Sequence, residues 1–474
     1  MIHGGLRYLE YGEVPLVRES LNERRRLLDH APHLVQPLAL TIPIYAGARR
    51  GKWLIKLGMI AYDLLSAGKS LASHRMLSRE ELLAEEPGLC ADGLKGGARY
   101  YDAQVTFAER LVVENVIDAA LNGVDVRNYA PVTNVDRNNG QFSVQFQSPD
   151  GPATARAPIV INAAGPWVDD VLDVAEGSFA RQMGGTKGSH IIVAPFPGAP
   201  EAAMYVEAAS DGRPVFIVPW NGQFLIGTTD LRYEGDPGDA RAEDDEIAYL
   251  LTEVNRVFPG AELAVEDIRF TYSGIRPLPN QEDGPESAIT RKHIIREHAG
   301  NADGLISIIG GKLTTYRSLA EQATDLVCRR LDKPLSNRPT RDRRLPGGDV
   351  VGDTPDALAT AAPTAIERLG AVYGSRRSAI AAFCDGDPEL AAPMIADSSV
   401  LKGEVAFAIR EEFAQTLVDL LYRRLMVGLA GDLDEGLVDE VLKLAVRELG
   451  WNDSEQQRQR ELLADFNRRL RRRG

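Results

Sequence analysis

The sequence predicts a mixed α/β fold in more than one domain, and three observations predict it. Leu305-Ile-Ser-Ile-Ile-Gly-Gly-Lys-Leu-Thr-Thr-Tyr316 reads as a buried strand, a glycine turn and the opening of a helix. Two Asn-Gly pairs, Asn139-Gly140 and Asn221-Gly222, stand between strand-forming runs and fit type I′ hairpins, so antiparallel strands are mixed with βα units. Everything after Pro355 follows a helical pattern. At 474 residues the chain is too long for one ordinary core.

Composition narrows the function classes. With 44% hydrophobic and 26% charged residues the chain is a folding, globular one. A net charge of −14 argues against general nucleic-acid binding, so an anionic ligand must be met by local Arg and Lys clusters. Cys90, Cys328 and Cys384 are far apart and lack metal-ligand spacing, so reduced thiols, a cytoplasmic setting and no metal are expected. No apolar run reaches the roughly 18 residues that a membrane span requires.

In chain order, residues 2–9 are a Gly-Gly turn and a helix start carrying Arg7 and Tyr8, which together suit a phosphate. Residues 19–29 are helical and end before Pro32. Residues 52–65 are a further helix, where Arg49, Arg50, Lys52 and Lys56 surround Trp53. That helix either packs on a core with its cations solvated or lies on a membrane surface. A helix near 107–122 precedes a short strand at 124–127 and the first hairpin. Ile159-Val-Ile-Asn-Ala-Ala-Gly-Pro-Trp167 is a strand entering a small-residue turn, before a helix at 168–174. Small residues there either admit a bulky ligand to the backbone or serve close strand–helix packing. His190 precedes a strand at 191–194. Arg276 and Arg291 read as rim cations that, with Arg7 and Lys312, can converge on one phosphate. The Gly310-Gly311 turn presents free backbone N–H groups and the positive end of a helix beside Lys312, favouring a phosphate or a reduced flavin ring. An ordinary buried βα unit with a solvated lysine has the same pattern. Residues 341–354 read as a linker, 404–429 as the longest helix, and 468–473 as a basic helix end.

Residues 2–9, 162–167, 271–278 and 308–316, in this order and wording, closely resemble the FAD-dependent glycerol-3-phosphate dehydrogenases. Residues 186–190, Gly227-Thr-Thr-Asp230, Ala288-Ile-Thr-Arg291 and Arg410-Glu-Glu-Phe-Ala-Gln-Thr-Leu-Val-Asp419 add to a likeness that covers nearly the whole chain. The likeness implies a Rossmann-like FAD-binding domain interleaved with an antiparallel-sheet substrate domain over 1–340, the linker, and an all-helical domain over 355–474. It implies oxidation of sn-glycerol 3-phosphate at C2 to dihydroxyacetone phosphate, with hydride passing to flavin N5.

By the same likeness Arg7, Tyr8, Arg276, Arg291 and Lys312 bind substrate, with Arg276 and Lys312 nearest the reacting carbon and its oxygen. His190 is the first candidate for the general base and His3 the second. Gly310, Gly311, Leu313 and Thr314, the Ala164-Gly165-Pro166 turn and the backbone near Val132 would line the FAD site. Electrons would pass to a quinone, with oxygen the alternative, from a peripheral position on the cytoplasmic face of the inner membrane, contacting its lipids. A homodimer is compatible with this. Competing readings are an FAD-dependent amine or hydroxy-acid oxidase of the same fold and a non-catalytic fragment serving as an interaction module.

One departure stands out. Family members open with a strand and a Gly-x-Gly-x-x-Gly turn that holds the FAD pyrophosphate, and this first βα unit is absent here. The expectation is a start placed at an internal methionine of a longer protein. A truly truncated gene is the alternative, and the 474-residue chain would then be inactive.

Overall fold

The computed structural model describes residues 1–471 apart from 67, 69, 70, 150, 282–288, 336, 360 and 432. Ala288 of the second arginine motif and residues 472 and 473 of the basic tail therefore lie outside the described residues.

A large mixed sheet organises the first two thirds of the chain. Strand Val35–Tyr45 pairs antiparallel with Leu94–Val105 and parallel with Ala203–Glu207. The sheet continues through Pro214–Trp220 and Gln223–Gly227 to Thr186–Val193, against which Ile268–Arg276 also pairs. Period-two side-chain alternation lets one sheet serve two cores. Met204 and Val206 face a core that includes Ile191, Val193, Ile217 and helix Asp244–Val257. Tyr205 faces the other side, with Leu40, Tyr100 and helices Val14–His30 and Lys52–Leu65.

Both hairpins form as the sequence predicts. Asn139 and Gly140 have φ of 51° and 78°, and Asn221 and Gly222 have 49° and 71°. Positive values at both central residues match the twist of the flanking strands. The first hairpin, Val132–Asn138 and Gln141–Ser148, is completed by Gly151–Ala157 into a separate three-stranded sheet.

A third sheet carries the lysine turn. Leu305–Ile309 runs parallel to Val160–Asn162 and antiparallel to Ile294–Glu297. Gly310 and Gly311, at φ 75° and 97°, then turn the chain through a short 3-10 segment, Leu313–Thr315, into helix Tyr316–Arg330. Those dihedrals are open to glycine at little cost.

Three expected elements differ. The strand expected at 191–194 spans Thr186–Val193, so His190 lies within it rather than before it. Residues 124–127 are irregular rather than a strand, with Val124 exposed and Arg127 bonded to neighbouring Asp125. Residues 404–429 are not one helix: Lys402–Glu411 ends, Phe413 takes φ 58°, and a π-helical stretch spans Asp419–Arg424. The cause is the buried Glu412 carboxylate, which accepts from Arg110 Nη1 at 2.6 Å and Arg376 Nη1 at 2.7 Å. Asp419 restarts the chain by accepting from the Gln415 and Thr416 amides at 3.0 and 3.2 Å. The longest C-terminal helix is instead Asp453–Leu470.

Candidate active site

The site is built from the N-terminal turn upward. The Gly4 amide donates to Tyr62 Oη at 3.0 Å and Asp102 Oδ1 at 3.1 Å, and Arg24 pairs with the same buried carboxylate. Gly5, at φ 81°, then starts the 3-10 segment Leu6–Tyr11. A Cβ at Gly5 would overlap the Tyr8 ring and lie 3.2 Å from Lys312 Nζ. This glycine allows the two side chains to meet.

Lys312 Nζ donates to the buried Ser20 Oγ at 2.9 Å and sits 4.7 Å above the Tyr8 ring. Burial lowers its pKa to about 8, against the opposing pull of Asp102, Glu19 and Glu13. An ammonium has three N–H donors. Ser20 and the Tyr8 face occupy two directions, and the third remains for a ligand.

The arginines arrive from separate elements. Arg276 ends strand Ile268–Arg276, where Gly188 on the neighbouring strand leaves room for its guanidinium. Arg276 Nη1 donates to Asp230 Oδ1 at 2.9 Å, and Nη2 donates to Thr228 Oγ1 at 2.9 Å and the Thr229 carbonyl at 3.0 Å. Arg291 Nη2 lies 3.5 Å from Asp230 Oδ2, while its Nη1 is buried with no hydrogen-bond partner among the described residues. Arg7 donates from Nη2 to Tyr11 Oη at 3.2 Å, and its buried Nε likewise has no partner there.

These groups share one cavity of about 660 Å³. Arg7, Tyr8, Arg276, Arg291, Gly311, Lys312, Leu313, Thr314 and His3 all line it. So do Arg213 and Asp230, whose part in the site the sequence reading did not single out. Among the described residues its wall carries five cations, Arg7, Arg213, Arg276, Arg291 and Lys312, against three carboxylates, Glu13, Asp102 and Asp230. The cavity therefore favours an anion although the chain as a whole is acidic.

Other expected residues lie elsewhere. Gly310 is one step back at the strand end, and Pro166 lines a separate acidic groove with Asp169, Asp170 and Asp173. Ala164, Gly165, Val132 and His190 are not in the cavity wall. His190 shares a strand face with Gly188, stacks on Tyr272 with ring centroids 4.6 Å apart, and has a buried Nδ1 without a partner among the described residues. Burial, then Arg276, lowers its pKa to about 3. His3 is also held well below the ordinary histidine value, by burial and then by Lys312.

Residues 1–317 match the family of FAD dependent oxidoreductases, DAO. The chain belongs to that family. Residues 338–456 match the C-terminal domain of alpha-glycerophosphate oxidase. A glycerol-3-phosphate dehydrogenase of Synechocystis sp. is 45% identical over 451 residues, covering 90% of this chain and 81% of the relative. A D-erythritol 1-phosphate dehydrogenase of Brucella abortus is 36% identical, covering 90% and 85%. The structure of the glycerol-3-phosphate dehydrogenase from Bacillus halodurans complexed with FAD superposes with a TM-score of 0.75 at 26% identity, covering 94% of this chain and 84% of that one.

FAD is thus the oxidoreductase's cofactor, and the residues present fit its ring end. The Gly310-Gly311 turn, the N-terminus of helix Tyr316–Arg330 and Lys312 form a cradle for an electron-rich ring edge. At Gly165, φ 60°, an added Cβ would meet nothing within 4 Å, leaving open space beside the small-residue turn. The fit extends to that end only, since the sequence holds no Gly-x-Gly-x-x-Gly turn for the pyrophosphate.

Proposed function

We propose that the oxidoreductase oxidises sn-glycerol 3-phosphate to dihydroxyacetone phosphate. The observation that carries this is the convergence of Arg7, Arg276, Arg291 and Lys312 on one cavity beside the Gly310-Gly311 turn. Bound FAD supplies the hydride acceptor. Arg291 Nη1 and Arg7 Nε, both buried and unpartnered among the described residues, receive the substrate phosphate. Arg276 contributes fixed positive charge, because both of its terminal nitrogens are tied to protein oxygens. Lys312 stabilises the negative charge that grows on the C2 oxygen as its proton leaves. The proton passes to His3 in the cavity wall; His190, the other candidate, lies outside that wall. Both imidazoles are neutral at pH 7, and a pKa of about 3 makes His190 the poorer acceptor, because a base works best with a pKa near the operating pH.

A polyol without a phosphate leaves these buried donors unpaired, a defect that costs about 10⁴-fold or more in kcat/KM. Steady-state turnover of sn-glycerol 3-phosphate against glycerol and an amino acid tests the reading. Turnover that does not need the phosphate would favour the amine or hydroxy-acid oxidase alternative. D-Erythritol 1-phosphate belongs in the same panel because of the 36% identical relative.

We also propose a quinone as electron acceptor, reached from a membrane surface. Supporting this is an apolar groove of about 280 Å³ between residues 6–10 and helix Lys52–Leu65, which shares Leu6, Arg7 and Tyr205 with the substrate cavity. Met59 and Tyr62 hold that helix to the core, while Trp53, Leu57 and Leu64 are 76%, 64% and 71% exposed. Among the described residues no helix is long and apolar enough to cross a membrane.

A further inference from the structure

Asp230 is the residue on which three of the four cavity arginines meet. It follows strand Gln223–Gly227, and its side chain is 12% exposed. Its Oδ1 accepts from Arg276, its Oδ2 faces Arg291, and its backbone carbonyl accepts from Arg213 Nη1. Two guanidinium groups from distant parts of the chain thus face one carboxylate, and a third bonds the backbone of the same residue. For Arg276 the acid is one restraint among several, since Thr228 and Thr229 hold the other terminal nitrogen. Arg291 has less support: Asp230 is the carboxylate facing its Nη2, and its Nη1 is bare among the described residues. A guanidinium is a rigid plane, so drawing one terminal nitrogen towards Asp230 across a 3.5 Å ion pair constrains where the other points.

We propose that Asp230 is a positioning residue that aims Arg291 Nη1 at the substrate phosphate while holding back one unit of positive charge in the cavity. This rests on reading the cavity as a phosphate-ester site. With Asp230 neutralised, five cations would face two carboxylates in the wall. Attraction for any small anion then rises as orientation is lost. Affinity and turnover should separate: a generic anion binds as well or better, and the correctly placed substrate reacts more slowly.

The test compares wild type with Asp230→Asn, which keeps the shape, and Asp230→Glu, which keeps the charge. Binding of inorganic phosphate and of sn-glycerol 3-phosphate is measured by calorimetry, and kcat on the FAD-loaded protein. Asp230→Asn should bind inorganic phosphate at least as tightly as wild type, while kcat falls between about tenfold and a hundredfold, the cost of a misplaced reactant. Asp230→Glu should return phosphate affinity to the wild-type value and recover part of kcat. An Asp230→Asn kcat within about twofold of wild type overturns the proposal. So does a parallel loss of anion affinity and kcat, which a merely structural role predicts. Should Asp230→Asn fail to fold, Arg291→Lys keeps the charge but loses the planar fork, and an unchanged kcat there overturns the proposal equally. Wild type that binds neither phosphate compound defeats the phosphate-ester reading itself, a result distinct from either variant's failure.

Discussion

Lys312 combines a fixed place with a shifted charge. Ser20 and the Tyr8 ring hold its ammonium beside the glycine turn, and burial brings its pKa to about 8. The protonated form stabilises the developing oxyanion, so kcat/KM should fall about tenfold per pH unit above pH 8. In Lys312→Ala that alkaline limb should vanish and kcat drop about 10²- to 10³-fold with FAD still bound. A retained limb would assign it to another group. Gly5 is the second test at this scale. Gly5→Ala puts a methyl group into the Tyr8 ring at a left-handed backbone position, and should cost about 1–3 kcal/mol of stability by thermal denaturation, with activity lost. The lysine and its glycines could be read in the sequence because they are consecutive. Arg213, Ser20 and the part played by Asp230 could not. Their meaning depends on which elements lie side by side: Ser20, on helix Val14–His30, is 292 positions from Lys312, and Asp230 is 46 positions from Arg276.

Among the elements, helix Lys52–Leu65 was legible in its extent but not in its orientation. Its apolar residues suited either a core or a surface, and the structure buries Met59 and Tyr62 while turning Trp53, Leu57 and Leu64 outward. Lys56 lies 5.5 Å above the Trp53 ring, joining a cation to that apolar face. The protein should therefore sediment with anionic liposomes, as an aromatic and a cation at an interface favour. A Trp53→Ser, Leu57→Ser double variant should remain in the supernatant and keep full turnover with a soluble dye acceptor. Equal sedimentation of the two proteins would remove the membrane contact. The break after Glu411 was hidden for a different reason. Residues 404–429 have helical periodicity throughout, yet Glu412 is drawn to Arg110, 302 positions away. Local pattern carries no record of such a partner.

Across the whole molecule, that buried cluster joins the C-terminal helices to the rest. Arg110 bonds Glu412 and Glu114, Arg376 bonds both acids, and Arg110 lies 4.6 Å over the Tyr373 ring. Arg110→Met would leave two buried carboxylates to share Arg376 alone, and should lower unfolding free energy by about 3–5 kcal/mol in denaturant titration. A change below 1 kcal/mol would mean that water reaches the cluster. The same long-range assembly brings the N-terminal turn, the arginines and the lysine turn into one cavity, and phosphate recognition depends on that convergence. The most direct measurement is the visible spectrum of the FAD-loaded protein without oxygen, before and after adding sn-glycerol 3-phosphate. The flavin band should bleach with sn-glycerol 3-phosphate, persist with glycerol, and bleach far more slowly in Lys312→Ala. Equal bleaching by glycerol and sn-glycerol 3-phosphate would contradict phosphate recognition, because the cluster of buried cations would then have no phosphate to read.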